Sequence, residues 1–297
     1  MNTLCEETLV VDGLTTRLLR GGSGPAAIVF LHGGVPAITP FCSGGHIWTN
    51  AITPFSQSDL SLIALDLPGH GGSTLHEGAL PTLERRSRHV VASLERLGLG
   101  AVHLIGHNEG GLTALCVAID RPDLVRSVVV VASPAAAPSG DLLDNPTLAY
   151  PPSPLWSRES QRWALNRLSS SACDELLLDA CVGASKSGAH LRALRMASDN
   201  EMYSTMLAAD LLTTKARVFT TCRDSRIPVP VQLIWGHGDP LTSVDQGLHL
   251  FRIIAATQPA TTFHVLSAAG HLVFNEKPRL FQSTVMGFYA SLTMSFD

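Results

Sequence analysis

The stretch "GHNEGG", Gly106–Gly111, follows the apolar run "AVHLI" and leads straight into the helical pattern "LTALCVAID". A strand that turns this sharply into a helix pushes the central side chain of the turn out over the sheet edge, as in a G-x-S-x-G nucleophile elbow. Backbone and helix pack closely there, so the flanking residues must be small. Gly106, Gly110 and Gly111 meet that need, but Asn108 stands where the serine of such a turn would be. A glycine cluster between strand and helix can also cradle a phosphate at the helix N-terminus. The G-x-G-x-x-G order of such sites is absent.

Outward from this turn, short apolar runs alternate with helical patterns, the signature of a parallel sheet with crossover helices. "AAIVFLHGG" (26–34) reads as a buried strand entering a glycine turn, and "SLIALDLPGHGGS" (61–73) as a second strand stopped by Pro68 and Gly69. "PTLERRSRHVVASLERLG" (81–98) starts on a proline, ends on a glycine and carries apolar residues at helical spacing. Further strands are expected at "SVVVVAS", "VQLIWG" (231–236) and "TTFHVLS" (261–267), with a closing helix over about 278–292. The rhythm breaks between 138 and 225. A Pro/Ala/Ser-rich connector and "YPPSPLW" lead there into helices expected from about Ser171 to Ala216. A helical insertion over the carboxyl edge of a sheet fits this interval. The expected architecture is therefore α/β: a mostly parallel sheet of about eight strands from residues 1–137 and 226–297, with a helical cap over 138–225.

Composition narrows the partners. Of 297 residues, 45% are hydrophobic and 15% charged, enough for a large core and against disorder. A net charge of −4 gives no basic field for nucleic acid. No apolar run is long enough to span a bilayer, and "MNTLCEETLVVDG" lacks the basic start of a signal peptide. Six scattered cysteines show neither CxxC nor His/Cys metal spacing, so they read as reduced thiols of a cytoplasmic protein without metal or other cofactor. Cys42 reads as a small apolar residue. A homo-oligomer is left open.

Two more residues complete a catalytic order. Asp239, in "LIWGHGDPL", follows a strand directly, and His271, in "AAGHLVFNEKP", follows the last strand. An acid so placed fixes the tautomer of a histidine and stabilises its imidazolium. His32-Gly33-Gly34 ends the first buried strand, and its backbone N–H can face an oxyanion. The second donor would be the N–H of Glu109, whose side chain reads as a helix-start charge favoured by the dipole.

This set resembles the α/β-hydrolase superfamily over nearly the whole chain, and "DLPGHGGS" has that superfamily's D-x-P-G-x-G-x-S form. Finer features are similar to the meta-cleavage product hydrolases, which cut carbon–carbon bonds in vinylogous diketones. Trp48-Thr49-Asn50 matches their W-x-N, and Val244–Leu248 matches their D-x-G-L helix. "ELLLDAC" followed by "HLRAL" echoes a cap segment. The resemblance implies substrate contacts from Trp48, Asn50, His107 and Leu272. His107 stands where asparagine is usual and Leu272 where tryptophan is common. Ala180 falls where a substrate-polarising arginine would be, leaving Arg192 or Arg195 to substitute, and the loop from Val35 to Ile47 is longer than usual. These departures argue against a standard ring-cleavage substrate.

An amide nitrogen is delocalised, so no base can turn Asn108 into a nucleophile by taking its proton. Four readings stay open: an inactivated serine enzyme, a natural enzyme using a His271–Asp239 base without covalent catalysis, a binding protein, or descent from an aspartate enzyme. The last fits less well, because His32-Gly33-Gly34-Val35 departs from the H-G-x-P of those families. The expected activity is hydrolysis of an ester, lactone or ketonic C–C bond in a small apolar carbonyl compound. The alternatives are base-catalysed isomerisation, cyclisation or lyase chemistry, or small-molecule binding alone.

Overall fold

The computed structural model describes residues 4–138 and 146–294. Its centre is an eight-stranded sheet in the order β1-β2-β4-β3-β5-β6-β7-β8. The strands are β1 (Cys5–Val11), β2 (Leu14–Gly21), β3 (Ala26–Leu31), β4 (Leu60–Leu65), β5 (Val102–His107), β6 (Val125–Val131), β7 (Val231–Gly236) and β8 (Thr261–Leu266). From β4 to β8 across the sheet every pairing is parallel, while β1 and β2 join antiparallel. Six of these strands are the apolar runs expected from the sequence, and the β1–β2 hairpin is an addition to them. It turns on Asp12-Gly13, both at positive φ, 49° and 78°, a sequence pair suited to a tight hairpin.

The central strands are buried on both faces, which is why they read as continuous apolar runs. In β6, Val129 and Val131 enter one core while Val128 and Val130 enter the other. Helices α1 (Thr49–Phe55), α9 (Val273–Glu276) and α10 (Pro278–Met294) belong to the first side. Helices α2 (Leu83–Leu97), α3 (Glu109–Asp120) and α8 (Val244–Ala255) cover the second. Helix α2 starts on a Thr82 cap and stops at Gly98 with φ 62°, where the left-handed turn suits glycine.

Between β6 and β7 lie α4 (Arg158–Leu168), α5 (Glu175–Ser185), α6 (Gly188–Ser198) and α7 (Tyr203–Asp224), with no strand among the described residues. The α-helices thus begin at Arg158, after a short 3-10 turn at Pro146–Leu148, and run to Asp224, wider than the 171–216 expected. Part of the expected connector, residues 139–145, lies outside the described residues. No described helix is long and apolar enough to cross a membrane. None of the six cysteines is in a disulfide.

Candidate active site

Strand β5 delivers Asn108 at φ 53° and ψ −123° to the carboxyl edge of the sheet, a conformation that L-residues adopt only under constraint. The constraint is packing: a Cβ on Gly106 would lie 2.1 Å from Gly110 O, and one on Gly110 would lie 2.3 Å from Leu31 O. Val131 O accepts the Asn108 N–H at 3.1 Å, and Ser133 Oγ donates to Asn108 O at 2.5 Å. The turn is therefore held from three sides, and Asn108 is 8% exposed.

His271 sits beside it. Its Nδ1 donates to Asp239 Oδ2 at 2.9 Å, and both side chains are almost wholly buried. Asp239 Oδ1 accepts the N–H groups of Leu241 and Thr242 at 2.8 and 3.0 Å. The carboxylate is thus oriented by its own loop before it meets the imidazole. With Nδ1–H committed to Asp239, neutral His271 presents Nε2 as a bare base. That atom is buried without a hydrogen-bond partner, as is Asn108 Oδ1.

A cavity of about 250 Å³ opens over these groups, lined by Gly33, Gly34, His107, Asn108, Glu109 and His271 on its polar side. Its remaining wall includes Phe41, Leu148, Leu168 and Leu241. The long loop after β3 supplies Ile38 through Phe41, so the unusual length of that loop goes into the chamber wall. Helix α4 reaches the site too: Leu168 O accepts the His271 N–H at 2.8 Å. Among the described residues no group of three or more His, Cys, Asp or Glu is placed to hold a metal ion.

Of the expected substrate contacts, His107 alone lines the cavity. Its Nε2 donates to His271 O at 3.2 Å, and burial, reinforced by His271, holds its pKa well below the usual range, so it is a neutral spacer. Trp48 is fully buried, stacked on Phe274 at 4.1 Å, and is part of the core. Asn50 Nδ2 donates to Asp174 Oδ2 at 2.6 Å, tying α1 to the start of α5. Leu272 is a core residue at the start of α9. Arg192 and Arg195 line a different surface hollow with His76, Glu77 and Asp199. The expectation of substrate contact at these five positions therefore has no support in the chamber geometry. Cys42 is buried, its thiol pushed up to about 12 by desolvation, as suits a small apolar residue.

Glu109 departs most from expectation. It is 3% exposed, and its Oε2 accepts the Gly34 N–H at 2.5 Å. The side chain expected as a helix-start charge has folded back onto one of the two expected oxyanion donors.

Residues 26–278 match the family model for the α/β hydrolase fold. The chain belongs to the α/β-hydrolase family. Full-length similarity links this family member to a 2-hydroxy-6-oxononadienedioate/2-hydroxy-6-oxononatrienedioate hydrolase of Burkholderia vietnamiensis, 25% identical over 94% of this chain and 93% of that protein. A fluoroacetate dehalogenase of a Burkholderia species is 35% identical over 41% of this chain and 38% of that protein. The first three relatives matched, at 33–35% identity, are spanned over only 30–39% of their own length. Among solved structures, the 2-hydroxy-6-oxo-6-phenylhexa-2,4-dienoate hydrolase of a Rhodococcus strain superposes with a TM-score of 0.75. It is 17% identical over 98% of this chain and all of that one, a likeness of fold.

Proposed function

We propose that this α/β-hydrolase cleaves an ester, lactone or ketonic C–C bond in a small, largely apolar carbonyl compound, using water activated by His271 and not a side chain at position 108. One observation carries the reading: His271 Nε2, buried and unpartnered, lines the same cavity as the amide of Asn108 while Nδ1 is committed to Asp239. A base poised over a residue that cannot be deprotonated has water as its natural partner. The full-length similarity to a C–C bond hydrolase supports a carbonyl substrate. The mostly apolar outer wall supports a substrate with an apolar body. The cap over 138–225, soluble small-molecule traffic and a cytoplasmic setting belong to the same reading.

A panel of activated esters, lactones and vinylogous diketones tests it. At least one class should turn over, and His271→Ala should abolish that turnover. Activity that survives His271→Ala overturns the reading.

A second reading has its own observation. Glu109 occupies the Gly34 N–H, and an oxyanion developing about 4 Å from a carboxylate would be repelled by about 4 kcal/mol at an effective dielectric of 20. That repulsion weighs less on proton abstraction from the substrate, as in an isomerase or lyase, because an enolate shares its charge with carbon while a tetrahedral intermediate holds it on oxygen. Deuterium uptake into a ketone without bond cleavage would mark that outcome.

A further inference from the structure

An acidic residue in the first turn of a helix is favoured by the dipole without having to leave water. Glu109 is instead almost wholly enclosed, 3% exposed. Its carboxylate is packed under the turn after β3, in space that exists because Gly33 has no side chain: a Cβ there would lie 2.8 Å from Glu109 Oε2. Taking a carboxylate out of water costs several kcal/mol unless charge and hydrogen bonds compensate. The compensation here is partial. Arg86, 2% exposed, faces the same turn, but its Nη1 donates to Gly34 O at 2.9 Å and its Nε to Pro81 O at 3.0 Å. Gly34 is thus gripped through its N–H by Glu109 and through its carbonyl by Arg86.

A neutral glutamine would hold the Gly34 N–H equally well, so the clamp alone does not explain a charge at this position. The charge makes sense from the cavity side. Glu109 lines the chamber over Asn108 and His271, and it also lines a second cavity of about 230 Å³ with Arg86, Asp210 and Ser204. It therefore stands in the wall shared by the chamber that holds Asn108 and His271 and a second, largely apolar cavity. Of its two carboxylate oxygens, Oε2 takes the Gly34 N–H.

We propose that Glu109 and His271 together hold the attacking water, and that the Asn108 amide donates to the substrate carbonyl in place of the Gly34 N–H. This rests on the reading of His271 as the base. One water O–H points to His271 Nε2 and the other to Oε1 of Glu109, which leaves a lone pair aimed at the carbonyl carbon. His271 takes the first proton as the water oxygen bonds to that carbon. The tetrahedral intermediate collapses with cleavage of the C–O or C–C bond. The imidazolium returns its proton to the leaving alkoxide or carbanion, so the products are an acid and an alcohol or ketonic fragment. Glu109 accepts a hydrogen bond throughout and ends unchanged.

Glu109→Gln separates this role from the clamp. Its amide oxygen still accepts from Gly34, but its NH₂ now donates where the water must be received. We expect kcat to fall about 10²-fold, the lower end of what a positioned acid–base group contributes, with KM held within about twofold. If Glu109→Gln keeps the wild-type kcat while His271→Ala is inactive, the Glu109 proposal fails and the His271 reading stands. Should His271→Ala also remain active, the reading beneath it fails. A high-resolution crystal structure tests the proposal without any substrate. A water within hydrogen-bond distance of both His271 Nε2 and a Glu109 oxygen is expected, and a chamber water that contacts only one of them overturns it.

Discussion

Asp239 holds His271 in one orientation, with 2.9 Å between Oδ2 and Nδ1 and the second carboxylate oxygen taken by two backbone N–H groups. The loop fixes the acid, the acid fixes the tautomer, and the tautomer leaves Nε2 bare toward the chamber. Asp239→Asn should leave the fold intact but favour the wrong tautomer. Turnover should drop about 10⁴-fold, the size of that effect in serine triads. Thermal unfolding and steady-state kinetics on the same preparation check both halves, and undiminished turnover would remove Asp239 from the mechanism.

Asn108→Ser should install a nucleophile within reach of a base already in place. The expected result is a pre-steady-state burst with activated esters, because the serine esterifies before water releases it. The burst should vanish in the double variant with His271→Ala. A single variant with no burst and no gain in esterase activity would mean that residue 108 and His271 do not face each other as the chamber geometry implies.

The same residue carries backbone strain. Asn108 has φ 53° and ψ −123°, and such positions cost about 1–3 kcal/mol for a residue with a Cβ. Asn108→Gly should relieve it, offset in part by the greater freedom of glycine in the unfolded chain. A net gain of about 1 kcal/mol is expected in urea denaturation, together with lost activity. A destabilised glycine variant would show that the Asn108 side chain contributes more to the fold than its backbone costs.

Several buried histidines set the acid limit of stability. His32 is the clearest: its Nδ1 donates to Gly33 O at 2.7 Å and its Nε2 accepts the Leu67 N–H at 2.9 Å. Both nitrogens are thus committed to the neutral ring. Burial lowers its pKa from 6.5 to about 4, and burial does the same to His89 and His103. Above pH 6.5 these rings are neutral folded or unfolded, and stability is at its full value. As pH falls from 6.5 toward 4 the unfolded chain binds protons that the folded one refuses, so stability is lost across that window. His32 alone accounts for about 3 kcal/mol. Urea midpoints measured between pH 7 and 4 should fall steadily, and a flat profile would contradict neutral burial of these rings.

Much of the scaffold could be read from the chain because it is local. Runs such as "SVVVV" and the glycines around Asn108 specify strand and turn within a few residues. Asp239 and His271 were legible from their positions just after strands. The β1–β2 hairpin was equally local in its Asp12-Gly13 turn, but its strands are half exposed and carry no continuous apolar run. Side-chain destinations were harder. Asn50 meets Asp174 across 124 residues, and Glu109 meets Gly34 across 75. Neither partner can be inferred from spacing, since one depends on how α5 packs against α1 and the other on how the turn after β3 packs against α3. A glutamate at a helix start looks solvated until the glycine turn packed against it is known.

The most direct test of water as the nucleophile is intact-protein mass spectrometry of enzyme quenched during turnover, with wild type and Asn108→Ser compared on one activated ester. The wild-type chain should turn the ester over at its unmodified mass, while the Asn108→Ser chain carries the mass of one acyl group. A substrate-derived adduct on the Asn108 peptide of the wild-type enzyme would contradict direct attack by water.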